Sequence, residues 1–220
     1  MFTKLGPPKG GHCIVGILLG AAVLLGGTVA GCTPSPGPSD DAAYLQKVAV
    51  WRAERDKTWS ESDDPIPAAR HAEFLPLKYF PPNQNYVVPA ELKLSDEKPV
   101  VELPTSTGTI RKMQVVGTLE FTLNGEKQSL GALSPAGEPI RALFVPFADL
   151  TTKQETYAAG RYLDIEPTAT GLYNIDFNYA YNPTCAYNKS YECPYPPASN
   201  RLMVPVRAGE KAPHPEAPGT

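Results

Sequence analysis

From position 86 onward, apolar and polar residues alternate in short runs that are bounded by proline, glycine or aspartate. This pattern is typical of β-strands with one buried and one exposed face. The clearest run is Leu119, Phe121 and Leu123, which alternate with polar residues before Asn124-Gly125. Because asparagine and glycine readily take the positive φ angles of a two-residue turn, the sequence predicts a half-buried antiparallel hairpin here.

The other strand signals indicate a mainly β domain. Arg141 to Phe147 is predicted as a buried strand, and Leu202 to Arg207 as the last strand. The 25 prolines disfavour long helices, since each interior proline removes a helical hydrogen bond. We therefore expect an antiparallel β-sandwich or partly open barrel with one amino-terminal amphipathic helix.

That helix is predicted to begin near Asp40, because Ser39 can cap it and the following acids suit its positive end. Its apolar face is expected to contain Tyr44, Leu45, Val48, Trp51 and Trp59. Arg52 and Asp56 are predicted on the opposite side, where they can form a weak ion pair.

Two strand candidates, 161–166 and 172–178, are expected to pair with one another. Setting Leu163 opposite Ile175, and Ile165 opposite Tyr173, collects the apolar side chains on one face, whereas a slip of one residue would mix them with polar groups. The other face then carries Tyr162, Asp164, Asn174, Asp176 and Asn178.

In this register Asp164 lies diagonal to Asp176, at roughly 7 to 8 Å between their backbones. Carboxylates this close repel each other unless water, a basic side chain or a metal ion neutralises them. An open face would simply be solvated, whereas a covered face would form a binding site or an acid/base couple. The residues alone leave both alternatives open.

The following segment is rich in tyrosine and asparagine, including Tyr181 and Asn182. These side chains supply the flat surface and adaptable hydrogen bonds of recognition loops that bind sugars or peptides. The alternative is that the aromatic rings form the small core of a proline-rich loop.

Motifs for nucleophilic, phosphate-binding or metal chemistry do not occur: there is no Gly-x-Ser-x-Gly, no phosphate-binding glycine loop and no His-Glu-x-x-His. We therefore expect no cofactor and no metal site. A hydrolase that uses only Asp164 and Asp176 is the enzyme alternative.

The amino terminus has two lysines, an apolar run from Ile14 to Leu25, and then Val29-Ala30-Gly31-Cys32. This quartet resembles the lipobox of bacterial lipoproteins, which implies cleavage before Cys32 and lipid on its sulfur. An uncleaved membrane anchor is the alternative, but the apolar run is shorter than the about 20 residues that span a bilayer. We expect a lipoprotein signal peptide at 1–31, a proline-rich tether at 32–39, a single mainly β domain at 40–210 and a disordered tail at 211–220.

Cleavage would remove two of the 20 basic residues and leave 18 against 23 acidic ones, a net charge of about −5. An acidic domain of this kind makes nucleic acid an improbable partner. The expected location is the cell envelope, with the domain attached through Cys32 to the periplasmic or outer face of a membrane.

Cleavage and lipidation would leave Cys185 and Cys193 as the thiols of the mature domain. In an oxidising compartment they are expected to form a disulfide, which would contribute roughly 2.5 kcal/mol in the chain-entropy model. A zinc site is the alternative, but only two histidines would remain to support it.

Several longer segments follow in a specific order: WRAER, FLPLKYFPP, LFVPFAD, ETYAAGRYLDIE, DFNYAYNPTCAYN, YECPYPP and NRLMVPVRAGE. From about Trp51 to Glu210 this series resembles the uncharacterised bacterial and archaeal family called domain of unknown function 1684, although Ala158 stands where a glycine is expected. The resemblance supplies no activity. It implies a shared surface of Tyr157, Arg161, Tyr162, Asp164, Asp176, Asn178, Tyr181, Asn182, Cys185, Cys193 and Glu210. Within it, Arg161 is expected to pair with Asp176 or Glu210.

These observations favour a non-catalytic module that binds an envelope glycan, peptide or protein through this surface. The alternatives are the hydrolase described above and a purely structural envelope protein.

Overall fold

The structure is a computed structural model that describes residues 40–213. Its strands are β1 (Val87–Leu94), β2 (Val100–Pro104), β3 (Ile110–Leu123), β4 (Glu126–Pro135), β5 (Leu143–Phe147), β6 (Arg161–Ile165) and β7 (Leu172–Asp176). Its α-helices are α1 (Asp40–Ser60) and α2 (His71–Phe74). Short 3₁₀ turns cover Ala68–Arg70, Gln84–Tyr86, Phe177–Tyr179, Thr184–Ala186 and Ala198–Asn200.

The strands form one antiparallel sheet in the order β6-β5-β4-β3-β1-β7, and β2 pairs with the first part of β3. The sheet curves into a half-barrel, which confirms the mainly β class. Apolar side chains from the whole sheet share its interior. Phe121 and Phe147, for example, both contact Phe177, with ring centroids 5.9 and 5.4 Å apart.

The predicted hairpin is confirmed as β3 and β4. Leu119 pairs with Leu130 in the ladder, and Leu119, Phe121 and Leu123 are all buried. Asn124 and Gly125 form the turn with φ angles of 53° and 82°. The local alternation of residue types was therefore sufficient to place both strands.

The predicted pairing of β6 with β7 is wrong. β6 pairs with β5 and β7 pairs with β1, so the two strands lie at opposite ends of the strand order. Their apolar residues do face one core, as expected. Alternation reveals which side of a strand is buried but not which strand is its neighbour, and the geometric basis for an Asp164–Asp176 couple is lost.

Helix α1 is confirmed, and four residues of its predicted apolar face pack against the domain: Val48 and Trp59 are buried, and Tyr44 and Trp51 are half-buried. The other expectations for the two faces are wrong. Leu45 is exposed, whereas Arg52 and Asp56 face the domain. Arg52 Nη1 donates to the Phe80 carbonyl oxygen (3.0 Å), and Asp56 Oδ1 accepts from the Leu77 amide (2.8 Å). These two side chains satisfy backbone groups of a proline-rich segment and do not pair with each other.

The predicted last strand, Leu202 to Arg207, is not a strand: the chain bends at Met203 and Val204, and the segment pairs with none of the seven strands within residues 40–213. Its alternating residues Leu202, Val204 and Val206 are buried in the core as a strand's would be. Its backbone is bonded partly by the residues after β5, since the Leu202 amide donates to the Ala148 carbonyl oxygen (2.8 Å). Side chains bind the rest: the Val206 amide donates to Asp149 Oδ1 (3.3 Å), and its carbonyl oxygen accepts from Arg161 (2.8 Å).

Asn200 bridges β4 and β5, whose ladder contains one registered pair, Leu133 with Phe144. Its amide nitrogen donates to the carbonyl oxygens of Gly131 (2.9 Å) and Pro146 (2.8 Å), and its oxygen accepts from the Gly131 amide (2.7 Å). The side chain is completely buried.

Asn200→Ala should therefore lower the free energy of unfolding by about 2–4 kcal/mol, because it leaves the amide and carbonyl oxygen of half-buried Gly131 and the carbonyl oxygen of buried Pro146 without this partner. Chemical denaturation measures this change. Ser199→Ala, at the exposed neighbouring position, is the control and should alter stability by less than about 0.5 kcal/mol. Equal effects of the two substitutions would refute the bridging role of Asn200.

The ordered chain continues past Glu210, where the disordered tail was predicted to begin. The Lys211 amide donates to the Lys78 carbonyl oxygen (2.8 Å), and Ala212 and Pro213 are buried. Residues 214–220 lie outside the described residues, as do the predicted signal peptide (1–31), the tether (32–39) and the lipidation site Cys32. Within 40–213, no helix combines the length and apolar character needed to cross a membrane.

Candidate functional site

The nine predicted ligand-binding residues do not form one surface. Five are buried: Arg161, Tyr162, Asn178, Asn182 and Glu210. Tyr157, Asp176 and Tyr181 are half-buried, and Asp164 is exposed. The buried polar residues stabilise the fold, and only the remainder can take part in a surface site.

Arg161 begins β6, and its guanidinium is buried with Asp149, which follows β5 directly. Arg161 Nη2 donates to Asp149 Oδ2 (2.9 Å), and Nη1 donates to the carbonyl oxygens of Ala208 and Glu210. Burial lowers the pKa of Arg161, while the charge of Asp149 opposes this shift. The predicted partners, the carboxylates of Asp176 or Glu210, are therefore wrong, because the β5–β6 pairing brings Asp149 closer.

Glu210 occupies a second buried position, beneath helix α1. Arg55 Nη2 approaches its carboxylate at 3.3 Å, the Asn182 amide donates to it at 2.9 Å, and the Tyr187 hydroxyl donates to the other oxygen. Burial raises the pKa of Glu210 to about 7, although Arg55 and the Asn182 amide act in the opposite direction. The Arg55 guanidinium also stacks over Trp59, 4.5 Å from the ring centroid.

Asp176 serves to dock helix α1. Its carboxylate accepts from the Tyr44 hydroxyl at 2.9 and 3.1 Å and from the Asn178 backbone amide at 2.9 Å. The Asn178 side chain donates to the Asn83 carbonyl oxygen at 2.9 Å. Burial, followed by the nearby Asp176 charge, raises the pKa of Tyr44. The carboxylate of Asp176 is thus engaged in structural hydrogen bonds.

Cys185 and Cys193 are free thiols in this structure and lie side by side in a buried cluster with Tyr162. The Cys185 amide lies 3.1 Å from Cys193 Sγ. The hydrogen bond between the thiols lowers the pKa of Cys193 and raises that of Cys185. Tyr157 packs against this cluster from outside. The disulfide stays a prediction for an oxidising compartment.

The remaining predicted residue, Asp164, lines a pocket of about 500 Å³ at the end of the sheet where β3 begins and β4 ends. Its lining includes Arg111, Met113, Glu138, Arg141, Phe144 and Asp164. We call this the Arg141–Asp164 pocket. The β5–β6 pairing sets Phe144 opposite Asp164, so these two side chains share one face of the sheet.

Aromatic side chains support the pocket from below. Phe144 contacts Tyr162 edge to face at 4.7 Å, and Tyr162 contacts Tyr181 in the same manner at 5.8 Å. Tyr181 donates its hydroxyl hydrogen to Asp164 Oδ2 (2.5 Å), and Tyr162 donates to the Pro194 carbonyl oxygen (2.6 Å). The position of the Asp164 carboxylate is therefore fixed by Tyr181, whose backbone is hydrogen-bonded to that of Tyr162 on β6.

The charged groups of the pocket differ in their partners. Arg111 forms an ion pair with Glu192 at 3.0 Å. Neither Arg141 nor Asp164 forms an ion pair with any residue of 40–213. Glu138 forms none with these residues either, so the pocket presents one unpaired cation, Arg141, and two unpaired anions, Glu138 and Asp164, to a ligand.

A larger and more open cleft of about 870 Å³ separates the ends of β6 and β7, and it is lined by Phe121, Ile165 and Leu172 among others. It contains none of the predicted site residues. Among residues 40–213, no cluster of three or more His, Cys, Asp and Glu side chains is placed to hold a metal ion.

Sequence reasoning missed Asp149, Arg55, Tyr187 and Arg141. The first three are polar partners from distant parts of the chain, and no local pattern indicated their proximity. A signal for Arg141 did exist, because this charged residue was the first of the predicted buried strand Arg141 to Phe147, and a charge cannot be buried there without a partner. In the structure β5 begins two residues later, at Leu143.

The fold and this geometry define a half-barrel domain with buried ion pairs and a pocket with a charged rim. The chain belongs to the family described as Protein of unknown function (DUF1684), whose sequence model matches residues 72–211. It is also similar to the solution NMR structure of an uncharacterized protein of Haloarcula marismortui, with 38% identity and a TM-score of 0.62. That match covers 78% of this chain and 96% of the archaeal one. No curated protein matches the chain.

Proposed function

We propose that the chain is an exported, lipid-anchored binding module of the cell envelope, and that the Arg141–Asp164 pocket is its ligand site. Export and anchoring rest on the lipobox-like quartet ending in Cys32. The binding role rests on one observation: an apolar floor of Met113 and Phe144 lies beneath an unpaired arginine and an unpaired aspartate. A concave apolar site with a few converging polar groups is the usual form of a small-molecule site.

The presence of the pocket favours a binding role over a purely structural role in the envelope, because a structural protein requires no such pocket. Its volume of about 500 Å³ falls in the range of about 300–1,000 Å³ that small-molecule sites occupy. Of its charged residues, Asp164 lies on β6 and Arg111 on β3, whereas Glu138 and Arg141 lie in the loop between β4 and β5. The sheet therefore fixes the position of the Asp164 backbone, and the loop places Arg141 beside it.

The experiment is retention of small molecules from a soluble digest of bacterial envelope by the full chain in detergent, measured by mass spectrometry after ultrafiltration. The wild type should retain a component that Arg141→Gln loses. Arg201→Gln is the matched control, because this exposed arginine borders two other clefts, and it should bind as the wild type does. Loss with Arg201→Gln alone, or no retention at all, would contradict the proposal.

A further inference from the structure

The rim charges of the Arg141–Asp164 pocket carry information about its ligand. The lining contains two guanidinium groups, of Arg111 and Arg141, and two carboxylates, of Glu138 and Asp164. A ligand with only negative charge would be repelled by the carboxylates, and one with only positive charge by the guanidinium groups. A ligand that carries both charges can satisfy both sides.

Arg141 and Asp164 are the groups best placed to bind such a ligand. Arg111 already pairs with Glu192, which leaves Arg141 to bind an anion. Asp164 accepts one hydrogen bond from Tyr181 and has further acceptor capacity toward an ammonium group. Because Tyr181 fixes the carboxylate beforehand, ligand binding need not order it.

The separation of the two charges limits the size of the ligand. Arg141 and Asp164 do not form an ion pair, so a gap wider than 4.0 Å separates their charged atoms. Arg141 lies three positions before Phe144, which stands opposite Asp164 in the β5–β6 ladder. Since an extended chain advances roughly 3.3–3.6 Å per residue, three positions span at most roughly 10 Å, which is the extended length of a peptide of about two to three residues.

The floor of the pocket suits a small apolar side chain. Met113 is 3% exposed and Phe144 is half-buried, and both belong to a hydrophobic cluster on this face of the sheet. Methionine adapts its shape to different apolar groups. The floor would therefore hold ligand side chains without demanding one in particular.

We infer that the Arg141–Asp164 pocket binds a short peptide with free ends, with its terminal carboxylate at Arg141 and its terminal ammonium group at Asp164. This inference rests on the proposed function and names the ligand class of the same site. An acidic sugar shares the carboxylate alone, and it would leave Asp164 without a partner.

The test uses alanyl-leucine with free ends, its N-acetylated form and its C-amidated form, titrated into the full chain in detergent by calorimetry. The wild type should bind the free dipeptide, and each cap should weaken binding about tenfold or more, because each removes one charge-assisted contact. Identical affinity for all three peptides would overturn the inference.

Two variants assign each end of the peptide. Arg141→Gln should weaken binding of the free dipeptide about tenfold, after which amidation should cause no further loss. Asp164→Asn should also weaken binding of the free dipeptide about tenfold, after which N-acetylation should cause no further loss. Both positions are exposed, so the melting temperatures should stay close to that of the wild type. If both caps weakened binding and neither substitution abolished that effect, the peptide would bind elsewhere and the assignment would be rejected.

Glucuronic acid, tested in parallel, separates this inference from the proposed function. If the acid binds in an Arg141-dependent manner and the dipeptide does not, the peptide inference fails while the binding role stands. If neither probe binds and the envelope digest yields nothing that is retained, both fail.

Discussion

Replacing Arg161 with methionine should lower the free energy of unfolding by about 3–5 kcal/mol, the cost of breaking a buried ion pair. The substitution would leave the Asp149 carboxylate buried without its cation. It would also remove donors from three carbonyl oxygens of the segment that follows Leu202, which has no partner strand. Chemical denaturation of the full chain in detergent measures the change.

Arg207 offers a matched control, since it forms an ion pair with Glu155 at 2.8 Å but has 56% of its side chain exposed. Arg207→Met should cost less than about 1 kcal/mol. Adding Asp149→Asn to Arg161→Met should restore about 1 kcal/mol or more, because it removes the uncompensated charge. If Arg161→Met proved no more harmful than Arg207→Met, the guanidinium would not be replacing a strand.

Local patterns in the sequence were enough to predict the elements that depend on local residues. The β3–β4 hairpin follows from alternation and the Asn124-Gly125 turn, and helix α1 follows from apolar spacing and the acids near its start. The family resemblance was likewise confirmed by residues 72–211. The hairpin and the helix each depend on residues within about one element of each other, whereas the resemblance depends on motifs along the whole domain.

The errors share a physical cause: the sheet is assembled from strands that are distant in sequence. β7 pairs with β1, about 85 residues earlier, and this choice separates Asp164 from Asp176 in the strand order. The residues from Leu202 to Arg207 have the alternation of a strand, but Arg161 and Asp149 bind their backbone instead. A one-dimensional pattern cannot distinguish a partner strand from a partner side chain.

The candidate site was predicted only in part for the same reason. Members of a family can share a polar residue because it stabilises the fold or because it binds a ligand. The spacing of such residues along the chain is the same in both cases. Arg161, Asn182 and Glu210 prove to be buried, whereas Asp164 reaches a pocket. Burial, which the sequence does not contain, separates the two roles.

Glu210 should make the stability of the domain depend on pH in an unusual direction. Its pKa is raised from 4.5 to about 7 in the folded state, chiefly by burial. The folded state therefore holds this proton more tightly than the unfolded state does. It follows that the stabilising contribution is fully present below about pH 4.5 and is lost as the pH rises through about 7.

Glu210→Gln tests this directly, because the glutamine oxygen can still accept from the Asn182 backbone amide, its NH2 group can donate to the Tyr187 hydroxyl oxygen, and the side chain does not titrate. The variant should match the wild type near pH 4.5 and exceed it by on the order of 3 kcal/mol at pH 8, the equivalent of the pKa shift. The measurement is the difference between the unfolding free energies of the two proteins at pH 5, 6, 7 and 8, which cancels the titration of shared groups. A constant difference would mean that the ion pair with Arg55 offsets burial completely. A wild type that gained stability over the variant with rising pH would show that Arg55 outweighs burial, and that Glu210 is ionised throughout this range.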